Sequence, residues 1–239
     1  MKKLNATYVS LTSLVLAIVA LVLAIMCCCC KKNNVEEALM NKPEIIVNAM
    51  QKFEAQQREN AEKEAQKLMQ ENAEALNNNA NDGVLGNPEG KIVLVEFFDY
   101  SCGYCHKVYP VLKNIIANNA DLKVVAKPLA FLSPMSNYAA KASLAAKEQG
   151  KFAEVYSAIF EIKGQMTEAK IDEAAVLAGA DLEKLKADMN SDKVKNVMNE
   201  TSELASKLRI SGVPTLILNG KVVRALDEDT LQKAIDATK

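Results

Sequence analysis

The chain has 239 residues, a formal net charge of −1 and 49% hydrophobic residues. So balanced a charge gives no electrostatic reason to expect nucleic acid as a partner. A single histidine and six cysteines, four of them consecutive, also argue against a zinc centre, which takes four thiolate or imidazole ligands. With no tryptophan, any core must be built from Phe, Tyr, Leu, Ile, Val, Met and Ala.

The amino-terminus reads as a membrane anchor over residues 1–32. Lys2 and Lys3 precede an uncharged stretch from Leu4 to Cys30, and its densest part, Leu14 to Met26, has no polar side chain. That length suits a spanning helix, which needs roughly 20 residues. A cleaved signal peptide has the same layout but ends in a small-residue site, and no Ala-x-Ala closes this run. Ala24-Ile25-Met26 is also too bulky for a lipoprotein cysteine at Cys27. An uncleaved anchor is therefore favoured over a signal peptide. Lys2, Lys3 and the amino group stand against Lys31 and Lys32, so the positive-inside rule barely tips the amino-terminus inward. Cys27 to Cys30 would lie at the membrane boundary, open to acylation, to cross-linking between chains, or to serving as small apolar filler.

Residues 33–80 read as a helical segment. No glycine interrupts 35–76, Pro43 suits a first helical turn and Asn41 a cap. Ile46, Met50, Phe53, Ala61, Ala65, Leu68 and Leu76 form a thin apolar stripe at helical spacing. A stripe this sparse cannot make its own core and needs a partner. It could pack on the following domain, join helices of other subunits, or serve as a solvated stalk. Asn77 to Gly90, with Asn81-Asp82-Gly83 and Gly86-Asn87-Pro88-Glu89-Gly90, reads as linker and domain entrance.

A strand is expected at Ile92 to Phe98, and a helix from about Cys102 to Asn118 with Pro110 inside it. Between them lies Cys102-Gly103-Tyr104-Cys105. A buried strand feeding two cysteines at a helix start makes a reactive thiol, because the unpaired N–H groups and positive dipole end favour a thiolate at Cys102. Cys105, one turn on, could attack a mixed disulfide formed at Cys102. A structural disulfide over two intervening residues would close too small a loop to stabilise much.

Asp121 to Pro128 gives a second strand, and Ser136 to Leu208 is helical, with Ser136, Thr167, Asp181 and Ser191 as expected caps. Leu144, Phe152, Tyr156, Ile159 and Phe160 are among its expected packing faces. In Ser211-Gly212-Val213-Pro214-Thr215-Leu216-Ile217-Leu218 a proline opens an apolar run, where a strand's first residue can spare its N–H. Thr215 to Leu218, the Asn219-Gly220 turn and Lys221 to Arg224 read as a hairpin. A last helix starts at Asp227 or Asp229 and buries Leu231, Ala234 and Ile235.

The block Val95 to Cys105 and the later Gly212-Val213-Pro214-Thr215, in that order, resemble the active-site turn and cis-proline loop of the DsbA-like branch of the thioredoxin superfamily. The resemblance covers about residues 84–239. It implies an α/β thioredoxin-like fold with a helical insertion at about 134–208, and protein disulfide oxidoreductase or isomerase activity. It implies Cys102 as nucleophile, Cys105 as resolving thiol and Glu96 as proton acceptor for Cys105, although a glutamate on an exposed strand edge would read the same. Val213 and Pro214 would flank the cysteines and meet a bound peptide, with Gly103 and Tyr104 beside them. No cofactor is implied beyond a redox-active Cys102–Cys105 disulfide. His106, the only histidine, is expected to face solvent just past Cys105 and not to be catalytic, while Asp99 and Tyr100 are expected to shape the loop.

In Com1-like and ScsC-like members a segment resembling 33–80 precedes the catalytic domain and can mediate oligomerisation. The expectation is thus a homo-oligomer anchored in the inner membrane of a bacterial envelope, its catalytic domain in the periplasm. It would act on unfolded or misoxidised proteins and exchange electrons with a membrane redox partner. Gly-Tyr between the cysteines resembles the isomerase DsbC, whereas Val213 before the proline looks more like an oxidase. The reading leans to isomerase, with a monomeric dithiol oxidase, an oligomeric chaperone and a membrane-surface scaffold as rivals.

Overall fold

The computed structural model describes residues 14–26, 35, 39–224 and 226–238. The chain divides into two compact units, 1–61 and 62–239. In the first, helix α1 covers residues 14–26 with every side chain exposed. Among the described residues no helix is long and apolar enough to cross a bilayer. The rest of the expected anchor, including Cys27 to Cys30, lies outside the described residues.

The expected continuous helix over 35–76 is broken twice. Residues 39–41 are helical, so Asn41 is not a cap, and α2 (Glu44–Glu71) begins after Pro43, which has no N–H to continue a ladder. The second break is Asn72, whose side-chain amide donates to the Leu68 carbonyl at 2.8 Å, competing with the backbone for a helical acceptor. α3 (Ala73–Asn77) follows. The apolar stripe has two fates. Ile46, Met50 and Phe53 are exposed, whereas Leu76 is fully buried.

The second unit is built on a five-stranded sheet of β1 (Gly83–Gly86), β2 (Ile92–Phe98), β3 (Leu122–Pro128), β4 (Thr215–Leu218) and β5 (Lys221–Val223), ordered β1-β3-β2-β4-β5. β2 and β3 are parallel, and the other pairs are antiparallel. β1 corrects the linker reading of 77–90. Too short to show alternation, it is bounded by Gly83, where a Cβ would run into the Phe152 ring, and by Gly86 at φ +76°. α4 (Gly103–Asn118) connects β2 to β3, and α10 (Glu228–Asp236) closes the chain. The β4–β5 turn places Asn219 and Gly220 at φ 46° and 77°, as a two-residue hairpin requires.

Alternation along β2 separates two apolar layers. Leu94 and Phe98 join Leu112 and Ile115 of α4, while Val95 and Phe97 pack with Met69, Leu76, Leu204 and Ile217. Between β3 and β4 run α5 (Pro134–Lys147), α6 (Phe152–Phe160), α7 (Glu168–Leu177), α8 (Leu182–Met189) and α9 (Asp192–Lys207). Thr167, Asp181, Ser191 and, for α10, Asp227 cap as expected. The first cap of this region is Ser133, which accepts from the Ser136 N–H at 3.1 Å. Pro134 is helical at the first position, where its missing N–H costs nothing, so the cap falls three residues before Ser136.

A buried ion pair fixes the entrance to the domain. Lys127 of β3 and Asp82 are each 1% exposed and bonded to one another, and the ammonium also donates to the Ala75 carbonyl at 2.8 Å. Burial pushes the Asp82 carboxyl up against the lowering influence of Lys127. Removing one partner of such a pair leaves the other stranded, at a cost of about 3–5 kcal/mol. Lys127→Met should lower the unfolding free energy by about that much in a denaturant titration. A loss below about 1 kcal/mol would mean that the pair behaves as an ordinary surface bridge.

Candidate active site

The site forms where β2 ends and α4 begins. Cys102 is the N-cap of α4, in extended geometry at φ −80° and ψ 117°. Its carbonyl accepts the first helical bond from the His106 N–H at 3.1 Å. Cys102 is 7% exposed and Cys105 fully buried, and both are free thiols. Gly103 and Tyr104 between them are exposed, and the Lys107 ammonium lies 5.1 Å from the centre of the Tyr104 ring.

The fold brings the two distant motifs together. The Cys102 thiol donates to the Val213 carbonyl at 3.5 Å, and the Val213–Pro214 peptide is cis. Val213 and Pro214 are half-buried, and Thr215 Oγ1 closes the loop on the Gly212 carbonyl at 2.7 Å.

Asp99 shapes the turn, as expected, through four contacts. Its carbonyl accepts from Cys102 N–H at 3.0 Å, and Oδ1 accepts from Ser101 N–H at 2.7 Å. Oδ2 accepts from the N–H groups of Phe131 and Leu132 at 3.1 and 3.0 Å. Those two residues expose apolar side chains next to the thiol loop. A triangle of hydroxyls, Ser101, Ser133 and Ser136, ties the same turn to the start of α5 at 2.7, 3.1 and 2.9 Å. His106 is exposed yet does not swing free in solvent. Its Nε2 lies 2.8 Å from the Tyr100 carbonyl, and its ring stands edge-on to Phe160 at 5.1 Å. A carbonyl only accepts, so Nε2 carries the proton in this contact.

Glu96 is on the central strand, between β3 and β4, and has no exposure. It is not the exposed edge residue that sequence alone allowed. Burial pushes its carboxyl up to about 7, partly offset by the Tyr156 hydroxyl, which donates to Oε2 at 2.7 Å. Among the described residues Oε1 has no hydrogen-bond partner. Burial likewise pushes the Cys105 thiol well above its ordinary range, an Asp99 backbone bond opposes this, and Cys102 and Glu96 add to the rise.

Sequence reasoning placed Tyr156 only on a packing face and missed its hydroxyl. The available signal was that a buried tyrosine needs a partner for its O–H, and a glutamate lay on a buried strand. Phe98, Tyr100, Tyr109, Tyr156 and Phe160 form one aromatic cluster around this pair, with centroid separations from 4.9 to 6.1 Å. Among the described residues no group of three or more His, Cys, Asp or Glu could hold a metal ion.

The raised Glu96 carboxyl makes stability pH-dependent in a defined sense. Between its ordinary value of 4.5 and about 7 the folded state binds more protons than the unfolded state, so stability falls as pH rises through that window. A gap of that size corresponds to about 3 kcal/mol. Glu96→Gln should therefore match the unchanged protein near about pH 4 and exceed it by up to about 3 kcal/mol near about pH 8. Equal differences at both pH values in chemical unfolding would contradict the buried carboxyl.

The model of the DSBA-like thioredoxin domain matches residues 93–236. A probable disulfide bond formation protein D from Bacillus anthracis is 28% identical over 165 residues, spanning 64% of this chain and 76% of the relative. A linker-deletion variant of ScsC from Proteus mirabilis is 26% identical, with a TM-score of 0.68, over 86% of this chain and 92% of that one. Na(+)/H(+) antiporter NhaA 1 from Mycolicibacterium gilvum is 32% identical over 162 residues. That match spans 65% of this chain but only about a quarter, 26%, of the antiporter. With the family model covering more than half of the sequence, the chain belongs to the DSBA-like thioredoxin domain family.

Proposed function

We propose that the chain forms and rearranges disulfides in extracytoplasmic proteins through Cys102 and Cys105, as an isomerase with oxidase capacity. The observation that carries this reading is the asymmetry of the two thiols. Cys102 caps a helix beside the Val213–Pro214 loop, whereas Cys105 is fully buried with its thiol held protonated. Cys102 is the less buried of the two sulfurs and lies against the Val213–Pro214 loop, which makes it the one that meets a substrate disulfide. A substrate disulfide is attacked by Cys102 Sγ, which forms a mixed disulfide and releases one substrate thiolate. Cys105 then gives its proton to Glu96 and attacks Cys102 Sγ. The Cys102–Cys105 bond forms as the bond to substrate breaks, and the electron pair leaves with the second substrate sulfur. The substrate is reduced by two electrons and the enzyme oxidised. Oxidation of a substrate dithiol is the same sequence reversed, with Glu96 returning the proton to Cys105. In isomerisation a substrate thiol, rather than Cys105, resolves the mixed disulfide.

Substrate contact falls in this reading to Val213, Pro214, Gly103 and Tyr104, which surround Cys102 at the surface. The exposed apolar side chains of Ile46, Met50 and Phe53 on α2 support a homo-oligomer, since a stripe of this kind needs a partner helix. The lysine-flanked apolar run at the amino-terminus supports a membrane tether. A membrane redox partner would then restore the working oxidation state.

The test follows refolding of scrambled and of reduced ribonuclease by the full chain in mild detergent, with molecular mass measured in the same buffer. Repair of scrambled ribonuclease by an oligomer, lost in Cys102→Ser, is the expected result. A monomer that only oxidises reduced ribonuclease would make the chain a plain oxidase, and rescue unaffected by Cys102→Ser would make it a chaperone.

A further inference from the structure

Among the described residues the Glu96 carboxyl has one hydrogen-bond partner, which comes from α6, outside the strand, turn and helix that carry the cysteines. The Tyr156 ring is 1% exposed and held edge-on by Phe98 at 5.2 Å and by Phe160 at 4.9 Å. Burial first, and then the neighbouring Glu96, push its phenol well above the ordinary range. It therefore stays protonated and acts as a permanent donor. With Oε2 occupied by this bond at 2.7 Å, Oε1 is the carboxyl oxygen left without a partner.

We propose that Tyr156 is a positioning residue of the thiol chemistry, holding Glu96 by Oε2 so that Oε1 exchanges the proton with Cys105 Sγ. This rests on the reading of Glu96 as the proton acceptor for Cys105. The step balances as before: the S–H bond of Cys105 breaks as the O–H bond of Glu96 forms, and the Cys105 thiolate then displaces the substrate sulfur from Cys102. The titratable groups facing this locus are Tyr156 from α6, Tyr100 from the turn after β2, Cys105 from α4 and Cys102 at its N-cap. Lys127, paired in register with Phe97, lies on the opposite face of the sheet with Asp82.

A bond from a neutral donor to a carboxylate stabilises the charged form, so removing it keeps Glu96 protonated to higher pH. The experiment uses the full chain carrying Cys27→Ser, Cys28→Ser, Cys29→Ser and Cys30→Ser, so that Cys102 and Cys105 are its two thiols, reduced and mixed with the small disulfide dithionitrobenzoate in stopped flow. The first release of thionitrobenzoate reports attack by Cys102 and is the internal reference. The second, intramolecular release reports Cys105. Tyr156→Phe keeps the ring, and its second-phase pH profile should move upward by about one unit, slowing that phase by about tenfold near neutral pH. In a Glu96→Gln background the same substitution should leave the profile unmoved, because Tyr156 acts only through Glu96. That background also removes the stranded acid, so the comparison holds should Tyr156→Phe alone fold poorly. A second-phase profile of Tyr156→Phe that coincides with the unchanged protein, while Glu96→Gln alters it, overturns the role of Tyr156 and leaves Glu96 standing. An unaltered profile in Glu96→Gln removes Glu96 and the proposal together. Absence of any second phase in the unchanged protein overturns the thiol-pair reading itself.

Discussion

A carboxyl group without access to water sits in the middle of the central strand, and much of the site is arranged around it. Among the described residues the Glu96 carboxyl has the Tyr156 hydroxyl as its one partner, and burial pushes it up to about 7. An acid in that range can give or take a proton near neutral pH, which an ordinary exposed glutamate cannot do. Its cost in stability is borne by the two apolar layers on either face of the sheet. Cys105 is also fully buried, with its thiol pushed up by burial and, to a smaller extent, by Glu96, so in the proposed mechanism the acid takes the proton of the buried thiol.

The surface half of the site depends on backbone geometry more than on charge. Asp99 spends both carboxylate oxygens and its carbonyl on four N–H groups, fixing the turn that presents Cys102 and the loop that carries Phe131 and Leu132. The Ser101–Ser133–Ser136 triangle joins that turn to α5. On the opposite face, Lys127 anchors Asp82 and Ala75, so the segment leading into β1 is tied to the strand next to β2. Through these contacts and the Tyr156 bond, the helices between β3 and β4 hold the thiol site from two sides.

The sequence carried the parts of this fold that repeat a pattern. Ile92 to Phe98 reads as a buried strand because every second residue and its neighbours are apolar, and the caps at Thr167, Asp181 and Ser191 announce their helices. β1 was hidden because a four-residue strand bounded by Gly83 and Gly86 has no periodicity, only a close approach to Phe152. The break at Asn72 was hidden because an asparagine amide reaching back to Leu68 has no signature in composition. The cap of α5 is Ser133 rather than the expected Ser136, because Pro134 takes the first helical position. At the site, the cysteines and the Val213–Pro214 loop were legible as motifs. The depth of Glu96 was not, since alternation along β2 shows two faces without saying which one is covered. Tyr156 reads as a packing residue, and with its partner 60 residues away on another element only the general need of a buried phenol for a hydrogen bond points to it.

The difference between the two thiols is the claim on which the account rests, and alkylation of the reduced protein near neutral pH, mapped by mass spectrometry, tests it most directly. The account predicts that a short pulse of iodoacetamide labels Cys102 and leaves Cys105 unmodified until the chain is unfolded. Equal labelling of both thiols, or labelling of Cys105 first, would contradict it.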